Sequence, residues 1–274
     1  MTNLPVRVSS SWLDLREPAD GVARSTDLVA QLLEHDPQRR RWVIHDLGAG
    51  SGSMGRWLAP LLPGRQHWVL HDRDTDLLQL ALRDPPSAAA DGADVTVATC
   101  PSDLVSLDEA HLADADLITA SALLDMFTRA ELTALVDLCV AAECPALLAL
   151  SVVGVIAFEP PDPLDARLGA AFNAHQRRPT THGTLLGPAA AAIAAQQFTD
   201  RGAHVAIDSS PWQLGSTHVE LCAEWLSGWV RAACEQDPSL DARADEYVQM
   251  RRDQLAAGQL RVTINHVDLL VRPR

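Results

Sequence analysis

The sequence predicts an α/β fold built on a doubly wound, mostly parallel sheet, and three observations support this prediction. Apolar segments of strand length alternate with segments of helical periodicity from about residue 42 onward. The segment Ala146–Val153 is almost entirely apolar, which is typical of a central parallel strand covered on both faces. A turn with three glycines follows the first strand and precedes a helix, a position where open α/β sheets bind ligands.

Turn-forming residues that interrupt the apolar runs delimit the individual elements. Pro63 and Gly64 end the helix after the first strand, and Pro85 and Pro86 end the helix after the second. The predicted strands are Trp42–Leu47, His67–His71, Val95–Thr99, Asp116–Thr119, Ala146–Val153, His204–Ile207 and Leu260–Val271. The first predicted helix follows the first strand and ends at about Leu62. The others are predicted at Leu77–Leu82, at Ala122–Ala142, at 188–198 and, as a pair, at 219–257.

The section before the first strand, residues 1–41, is predicted to be helical, with one short helix around residues 12–16. Arg16, Asp20 and Arg24 are spaced four apart and would lie on one helix face. We interpret them as a solvated stripe of charge, because exposed ion-paired stripes are common. The alternative is that Arg16 or Arg24 reaches a ligand carboxylate at the mouth of a site.

The remaining residues, 42–274, are predicted to form one α/β domain, since no linker divides them. Periodicity is weak between residues 158 and 187, where Pro, Gly, Arg and His are frequent. Irregular segments of this length in a compact domain usually have a function. We therefore interpret the segment at about 158–187 as a lid-like insertion.

The composition restricts the partners and the compartment of the protein. The 274 residues include 22 Lys and Arg against 36 Asp and Glu, a formal net charge of −14, which is expected to repel nucleic acid and anionic membrane surfaces. The sequence has no run of eighteen apolar residues and no CxxC pair among its five cysteines. We therefore expect a cytoplasmic protein with reduced thiols and with neither nucleic acid nor a membrane as its partner.

The glycine-rich turn lies in the segment HDLGAGSG, directly after the first strand. Gly48, Gly50 and Gly52 allow a sharp turn and let a ligand approach bare backbone. The helix that starts at Ser53 offers free N–H groups to an anionic group. Asp46 precedes the turn, and its carboxylate would repel a pyrophosphate but could neutralise a cationic ligand.

A second pattern overlaps the first, because Gly50, Gly52 and Gly55 satisfy the dinucleotide-binding pattern GxGxxG. Asp72 lies about where dinucleotide-binding proteins with this pattern have the acid that binds the ribose. An NAD(P)-dependent oxidoreductase is therefore an alternative function. Asp46 opposes it, as does the start of the turn some 40 residues into the chain.

The segment HDLGAGSG resembles the first motif of the class I S-adenosylmethionine-dependent methyltransferases, in which an acid and one further residue precede Gly-x-Gly-x-Gly. The resemblance covers the organisation of about residues 40–272, and its specific motifs lie between 44 and 125. It implies a Rossmann-like methyltransferase fold: a seven-stranded, mostly parallel sheet with an antiparallel last strand, to which N-terminal helices are added here. It also implies S-adenosyl-L-methionine as the cofactor and direct methyl transfer as the activity.

The resemblance also implies which residues bind the cofactor. The glycine turn would contact the methionine part, and Asp72 would accept hydrogen bonds from both ribose hydroxyls. Asp103 would bind the adenine amino group, and Ser121, Ala122 and Leu123 would line the region around the sulfonium. The cofactor-binding residues assigned in this way are Asp46, Gly48, Gly50, Gly52, Asp72, Asp103, Leu104 and Ser121.

The acceptor side is predicted from polar residues of the insertion and from residues outside it. His175 and His182 are candidate catalytic bases, needed only if the acceptor must lose a proton. The candidates for substrate binding are Arg24, Arg177, Arg178 and Trp212. Two histidines and two arginines in an acidic protein favour an anionic or hydroxyl-bearing small molecule, and a solvated loop is the alternative.

Other acceptors are less consistent with the sequence. Enzymes that methylate nucleic-acid bases carry Asp/Asn-Pro-Pro-aromatic after the fourth strand, whereas this chain has SALLDMF there. Metal-dependent O-methylation would need a carboxylate cluster of which Asp125 is the only visible member, so no metal is predicted. Methylation of a basic protein stays open, as does a non-catalytic cofactor-binding role.

Overall fold

The protein is described from residue 8 to residue 274 by a computed structural model, and within this range eight strands form one mixed sheet. Two further strands, β6 and β7, form a separate hairpin. The strands are β1 Arg41–Leu47, β2 Arg65–Asp72, β3 Val95–Pro101, β4 Leu117–Ser121, β5 Ala146–Glu159, β6 Pro179–Thr180, β7 Gly183–Thr184, β8 His204–Ser209, β9 Trp212–Leu214 and β10 Arg261–Arg272.

The helices follow the strands in alternation as far as β5 and cluster at the far end of the sheet thereafter. They are α1 Ser10–Ala23, α2 Thr26–His35, α3 Ser53–Leu58, α4 Thr75–Arg83, α5 Arg129–Ala141, α6 Asp165–Gln176, α7 Ala190–Asp200, α8 Val219–Gln236 and α9 Asp241–Ala256. In the part of the chain that the structure describes, no helix has both the length and the apolar character needed to cross a bilayer.

The sheet confirms the predicted topology. Its strand order is β3-β2-β1-β4-β5-β10-β8, and β1 to β5 run parallel to one another. The last strand, β10, pairs antiparallel with β5 on one side and with β8 on the other. The short strand β9 was not predicted; it extends the sheet by pairing with the first half of β10.

Three apolar clusters hold the layers together. Leu148 and Ile118 pack under α5 and α7 on one face of the sheet. Trp42, Trp68 and Leu147 pack under α2, α3 and α4 on the other face. The third cluster joins α1, α6, α8 and α9 to the far halves of β5 and β10. Both faces of the central strands are therefore covered, as their continuous apolar sequences require.

Two predicted boundaries were wrong. The helix after β4 starts at Arg129 rather than at Ala122, because Thr128 caps it and Glu131 returns the bond in a capping box. Strand β5 continues to Glu159 instead of ending at Val153, because β10 pairs with it beyond two register shifts. The segment 158–187, predicted to be irregular, contains the helix α6, which packs against α8.

Asp268, on β10, links the N-terminal helices to the bent part of β5. Its side chain is 1% exposed, and its two carboxylate oxygens accept hydrogen bonds from Leu150 N at 2.7 Å, Ser25 N at 2.9 Å and Ser210 Oγ at 2.5 Å. Leu150 has a positive φ of 54°, which a branched side chain rarely adopts. The carboxylate therefore compensates a strained backbone position and fixes the turn between α1 and α2.

Candidate functional site

The glycine turn joins the carboxyl end of β1 to α3. Gly48, Gly50 and Gly52 have φ values of +69°, +54° and +86°, so each occupies a conformation that other residues adopt only with strain. The amides of Gly48 and Ala49 both donate to the carbonyl of His71, at 2.8 and 3.0 Å. The turn is therefore fixed to the end of the neighbouring strand β2.

Asp72, the last residue of β2, borders this turn. Its Oδ2 accepts the N–H of Gly50 at 2.8 Å, and its Oδ1 accepts the N–H of Asp74 at 2.8 Å. Each carboxylate oxygen has a second lone pair, so the group can accept two more hydrogen bonds. The structure thus brings Asp72 and the glycine turn together, as their places in the sequence predict.

Asp46 lies at the end of β1 with its side chain only 1% exposed. Thr119 Oγ1 donates to its Oδ1 at 2.7 Å, while Oδ2 is buried without a hydrogen-bond partner among residues 8–274. Burial raises the pKa of Asp46 to about 7, and the attraction of Arg24 opposes this rise. A cationic ligand would supply the partner that this carboxylate lacks.

Arg24 is buried at the same end of the sheet, with 3% exposure. Its guanidinium donates to Ser53 O at 3.3 Å, Ser53 Oγ at 3.2 Å and Ser121 Oγ at 3.1 Å, and it lies 5.5 Å from the centroid of a Trp57 ring. Its Nε has no partner in the described chain. The interpretation of Arg16, Asp20 and Arg24 as a solvated stripe was wrong, because this face of α1 packs against the domain.

Asp103 and Leu104 lie after β3. Asp103 is exposed and caps a short helical turn by accepting from Val105 N at 3.3 Å. A methyl group added at Gly48 would lie 3.2 Å from Leu123 and 3.8 Å from Leu104. Leu104 and Leu123 therefore border the glycine turn, and the carboxylate of Asp103, the residue before Leu104, is exposed.

A cavity of about 160 Å³ lies beside this turn, next to the end of β4 and along the middle of β5. Ala122 and Leu150, both with positive φ, form part of its wall. Strained backbone of this kind concentrates at functional sites. The aromatic and polar residues that line the cavity are Trp12, Arg16, Asp125, Phe172, Gln176, Trp212, Trp225, Asn265 and His266.

The cavity includes Trp212 but none of the other predicted acceptor-side residues. His175 is partly buried and lies 3.2 Å from Glu235 of α8, and His182 is exposed in the β6–β7 turn. Arg177 follows the end of α6, and Arg178 donates to the carbonyl of His175 at 3.3 Å. Instead it is their neighbour Gln176 whose side chain reaches the cavity, because it lies on the inner face of α6.

Two buried histidines lie beneath the glycine turn. His45 Nδ1 and His71 Nε2 are 2.9 Å apart, His45 Nε2 is 3.0 Å from Asp114 Oδ1, and His71 Nδ1 is 3.3 Å from Ser102 Oγ. The Asp114 carboxylate can only accept, so His45 Nε2 carries hydrogen and its Nδ1 accepts from His71. Burial lowers the pKa of both imidazoles, that of His71 to about 4.

This pair predicts that acid destabilises the protein. The pKa of His71 is below its unfolded value of about 6.5, so between about pH 6.5 and 4 only the unfolded state binds this proton, and stability falls as the pH falls. Between pH 7 and 5 the wild type should lose about 2 kcal/mol more unfolding free energy than His71→Gln. Protonation of Asp46, whose pKa is raised, favours the folded state as the pH falls. This contribution is the same in both proteins and cancels in the difference between them. If urea denaturation showed equal losses of unfolding free energy in the two proteins, the lowered pKa of His71 would be contradicted.

No protein-family model matches the sequence, and no curated protein matches it. Among solved structures, the cyclopropane synthase MmaA2 from Mycobacterium tuberculosis is 14% identical, covers 97% of this chain and 95% of its own, and has a TM-score of 0.51. The magnesium protoporphyrin IX methyltransferase ChlM from Synechocystis PCC 6803, solved with bound SAH, is 18% identical over 76% of this chain and 84% of its own, with a TM-score of 0.45. The chain therefore has the fold of this synthase, a Rossmann-like, mostly parallel α/β sheet with an antiparallel last strand.

Proposed function

We propose that the protein is an S-adenosylmethionine-dependent methyltransferase that acts on a small molecule by direct methyl transfer. The observation that carries this proposal is the hydrogen bond from Gly50 N to Asp72 Oδ2, which makes one ligand-binding edge from the acid and the glycine turn. A ribose offers two adjacent hydroxyl donors, and this carboxylate has the lone pairs to accept both. The antiparallel pairing of β10 with β5 also supports the proposal, because the family that the sequence resembles has an antiparallel last strand.

The residues around the turn fit the parts of the cofactor. Asp46, with a buried oxygen that lacks a partner, would hold a positively charged part. Gly48, Gly50 and Gly52 have no side chains and would let it approach the backbone, while Asp103 and Leu104 would bind the adenine. When bound, the cofactor supplies a methyl group on a sulfonium, which a nucleophile can displace.

The protein then has to align the acceptor and exclude water, and α1 is placed to do both. A methyl group added at Gly50 would lie 3.4 Å from Leu13, so α1 covers the glycine turn. Trp12 lines the neighbouring cavity. Glu17 pairs with Arg56 of α3 and fastens the helix in this position.

Arg24 is expected to bind the carboxylate of the methionine part, because its unpartnered Nε is a buried donor beside Ser53 and Ser121. Arg24→Gln should weaken binding of S-adenosylhomocysteine about tenfold to a hundredfold, as expected for a lost charge-assisted hydrogen bond. The affinity for 5′-methylthioadenosine, which lacks this carboxylate, should stay within about twofold. Calorimetry measures both, and an equal loss for the two ligands would exclude this role.

Gly50→Ala is expected to weaken S-adenosylhomocysteine binding at least about tenfold, because it strains a positive φ and adds a methyl group 3.4 Å from Leu13, where α1 covers the turn. Gly92→Ala is the matched control. Gly92 also has a positive φ, of +78°, but nothing lies within 4 Å of an added Cβ, and it is remote from the turn. If both variants bound the ligand as the wild type does, the glycine turn would not be the binding surface.

The alternative reading as a dinucleotide-binding oxidoreductase has less support. Gly55, the third glycine of GxGxxG, is explained by packing, since an added Cβ would lie 3.2 Å from Pro86 and 3.5 Å from the Trp68 ring. The buried carboxylate of Asp46 would repel a pyrophosphate at this turn. All five cysteines are free, which agrees with the reducing cytoplasm that we propose as the location.

The function is tested by incubating the protein with S-adenosylmethionine labelled in the methyl group and with fractionated cell extract. We expect label in the low-molecular-weight fraction, and Asp72→Ala should abolish its transfer. Label that appears only in protein or nucleic acid would contradict a small-molecule acceptor. Cofactor binding without transfer to any fraction would favour the non-catalytic alternative.

A further inference from the structure

Two buried polar atoms in the cavity beside the glycine turn have no hydrogen-bond partner among the described residues. Gln176 Nε2 donates to Asp125 Oδ2 at 3.3 Å, and Gln176 Oε1 is then buried without a partner in the described residues. His266 Nδ1 is likewise buried and unpartnered. Burial lowers the pKa of His266 to about 4, so its imidazole is neutral at physiological pH. A ligand that donates a hydrogen bond would satisfy the amide oxygen of Gln176.

Asp125 is the unbalanced charge of this cavity. Among residues 8–274, no Lys, Arg or His nitrogen lies within 4.0 Å of its carboxylate, and Arg16 and Arg178 attract it only from farther away. Arg16 also faces the cavity, but Asp20 neutralises it through two hydrogen bonds of 2.8 and 3.1 Å. Burial raises the pKa of Asp125, so a cation beside it would favour the charged form.

The walls of the cavity are aromatic. Trp12, Trp225 and Phe172 line it together with Trp212, whose ring already carries the Arg16 guanidinium 5.1 Å from its centroid. Aromatic rings attract cations by electrostatics, most strongly when water is excluded. The volume of about 160 Å³ is close to the roughly 150 Å³ of a cavity that admits benzene. These walls suit a small ligand with an apolar body and one positive group.

Resting on the proposed function, we infer that the methyl acceptor is a small amine with an apolar or aromatic body, its nitrogen held by Asp125 and Gln176. This differs from the anionic or hydroxyl-bearing substrate that the sequence favours, because the histidines and arginines behind that expectation do not line the cavity.

Methyl transfer to an amine nitrogen balances in atoms and charge without a further reactant. The ammonium form of the acceptor gives a proton to the Asp125 carboxylate, and the freed nitrogen lone pair forms the new C–N bond with the methyl carbon. The C–S bond breaks with its electron pair going to sulfur. Positive charge thereby passes from the sulfonium to the methylated nitrogen, next to the aromatic walls.

The test compares three ligands of nearly equal shape: benzylamine, benzyl alcohol and benzoate. Each is titrated into the protein saturated with S-adenosylhomocysteine, and binding is followed by calorimetry and by quenching of the cavity tryptophans. We expect benzylamine to bind at least about tenfold more tightly than the alcohol or the acid. Asp125→Asn should remove this preference while the affinity for S-adenosylhomocysteine stays within about twofold.

Asp200→Asn is the matched control, because Asp200 is exposed and also accepts from a glutamine, Gln196, at 2.7 Å. It should keep the benzylamine preference. Equal or tighter binding of benzyl alcohol or benzoate by the wild type would overturn the inference, as would a preference that survives Asp125→Asn. The wild-type comparison decides the question even if that variant unfolds. Intact S-adenosylhomocysteine binding without benzylamine binding would overturn this inference alone, whereas absent S-adenosylhomocysteine binding would overturn the proposed function.

Discussion

Replacing Asp72 with alanine is expected to lower the affinity for S-adenosylhomocysteine at least about a hundredfold. The variant would lose two charge-assisted hydrogen bonds to the ribose, each worth about 1.5–3 kcal/mol. It would also release Gly50 N, which Asp72 Oδ2 now accepts at 2.8 Å, and so loosen the glycine turn. Calorimetric titration of the wild type and of the variant measures the effect.

Asp91→Ala controls for the general cost of removing an aspartate that accepts backbone amides. Asp91 accepts from Gly64 N, at 3.1 Å to each oxygen, and from Ala93 N at 3.2 Å, outside the candidate site. It should therefore lose some stability but retain the affinity for S-adenosylhomocysteine. An unchanged affinity in Asp72→Ala would exclude Asp72 from ligand binding.

Replacing Asp268 with alanine is expected to destabilise the protein by at least about 3 kcal/mol, because each buried donor left without an acceptor costs about 1–3 kcal/mol. The variant would leave Leu150 N, Ser25 N and Ser210 Oγ without their acceptor in the core. The midpoint of urea unfolding should fall accordingly. Asp245→Ala, an exposed position on α9, should change stability by less than about 0.5 kcal/mol. A similarly small change in Asp268→Ala would contradict the structural role.

The parts of the fold that depend on local sequence could be predicted. Strand β1, the glycine turn and the acid at the end of β2 follow from an apolar run, from residues that tolerate positive φ and from a turn-forming acid. Their proximity follows from topology, because the carboxyl ends of adjacent parallel strands meet at one edge. The start of α5 could also have been found, since Thr128 and Glu131 have the spacing of a capping box.

What covers a helix face could not be predicted, because periodicity shows that residues share a face but not what lies against it. Arg16, Asp20 and Arg24 have the spacing of an exposed stripe, yet Trp212 donates to Asp20 at 2.9 Å and Ser121 accepts from Arg24. Both partners lie about a hundred residues or more along the chain from α1. Such pairings are decided by tertiary packing.

The cavity beside the glycine turn was missed for the same reason. Trp12, Trp212 and Trp225 come from three separate elements, and His266 reaches them because β10 pairs with the extension of β5. That extension depends on register shifts near Leu150 and Asp268. There the Leu150 N–H donates to the Asp268 side chain instead of to the backbone of the neighbouring strand. No short segment carries this information. His175 and Arg177 suggested a site by composition, but His175 pairs with Glu235 of α8 and Arg177 is exposed.

The central claim is that the glycine turn and its flanking acids bind a sulfonium nucleoside rather than a dinucleotide. Calorimetric titration of the unmodified protein with S-adenosylmethionine, S-adenosylhomocysteine, NAD and NADP tests it most directly. We expect one site per chain for the first two ligands and no measurable heat of binding for NAD or NADP. Saturable binding of a dinucleotide, with neither sulfur nucleoside bound, would contradict the claim.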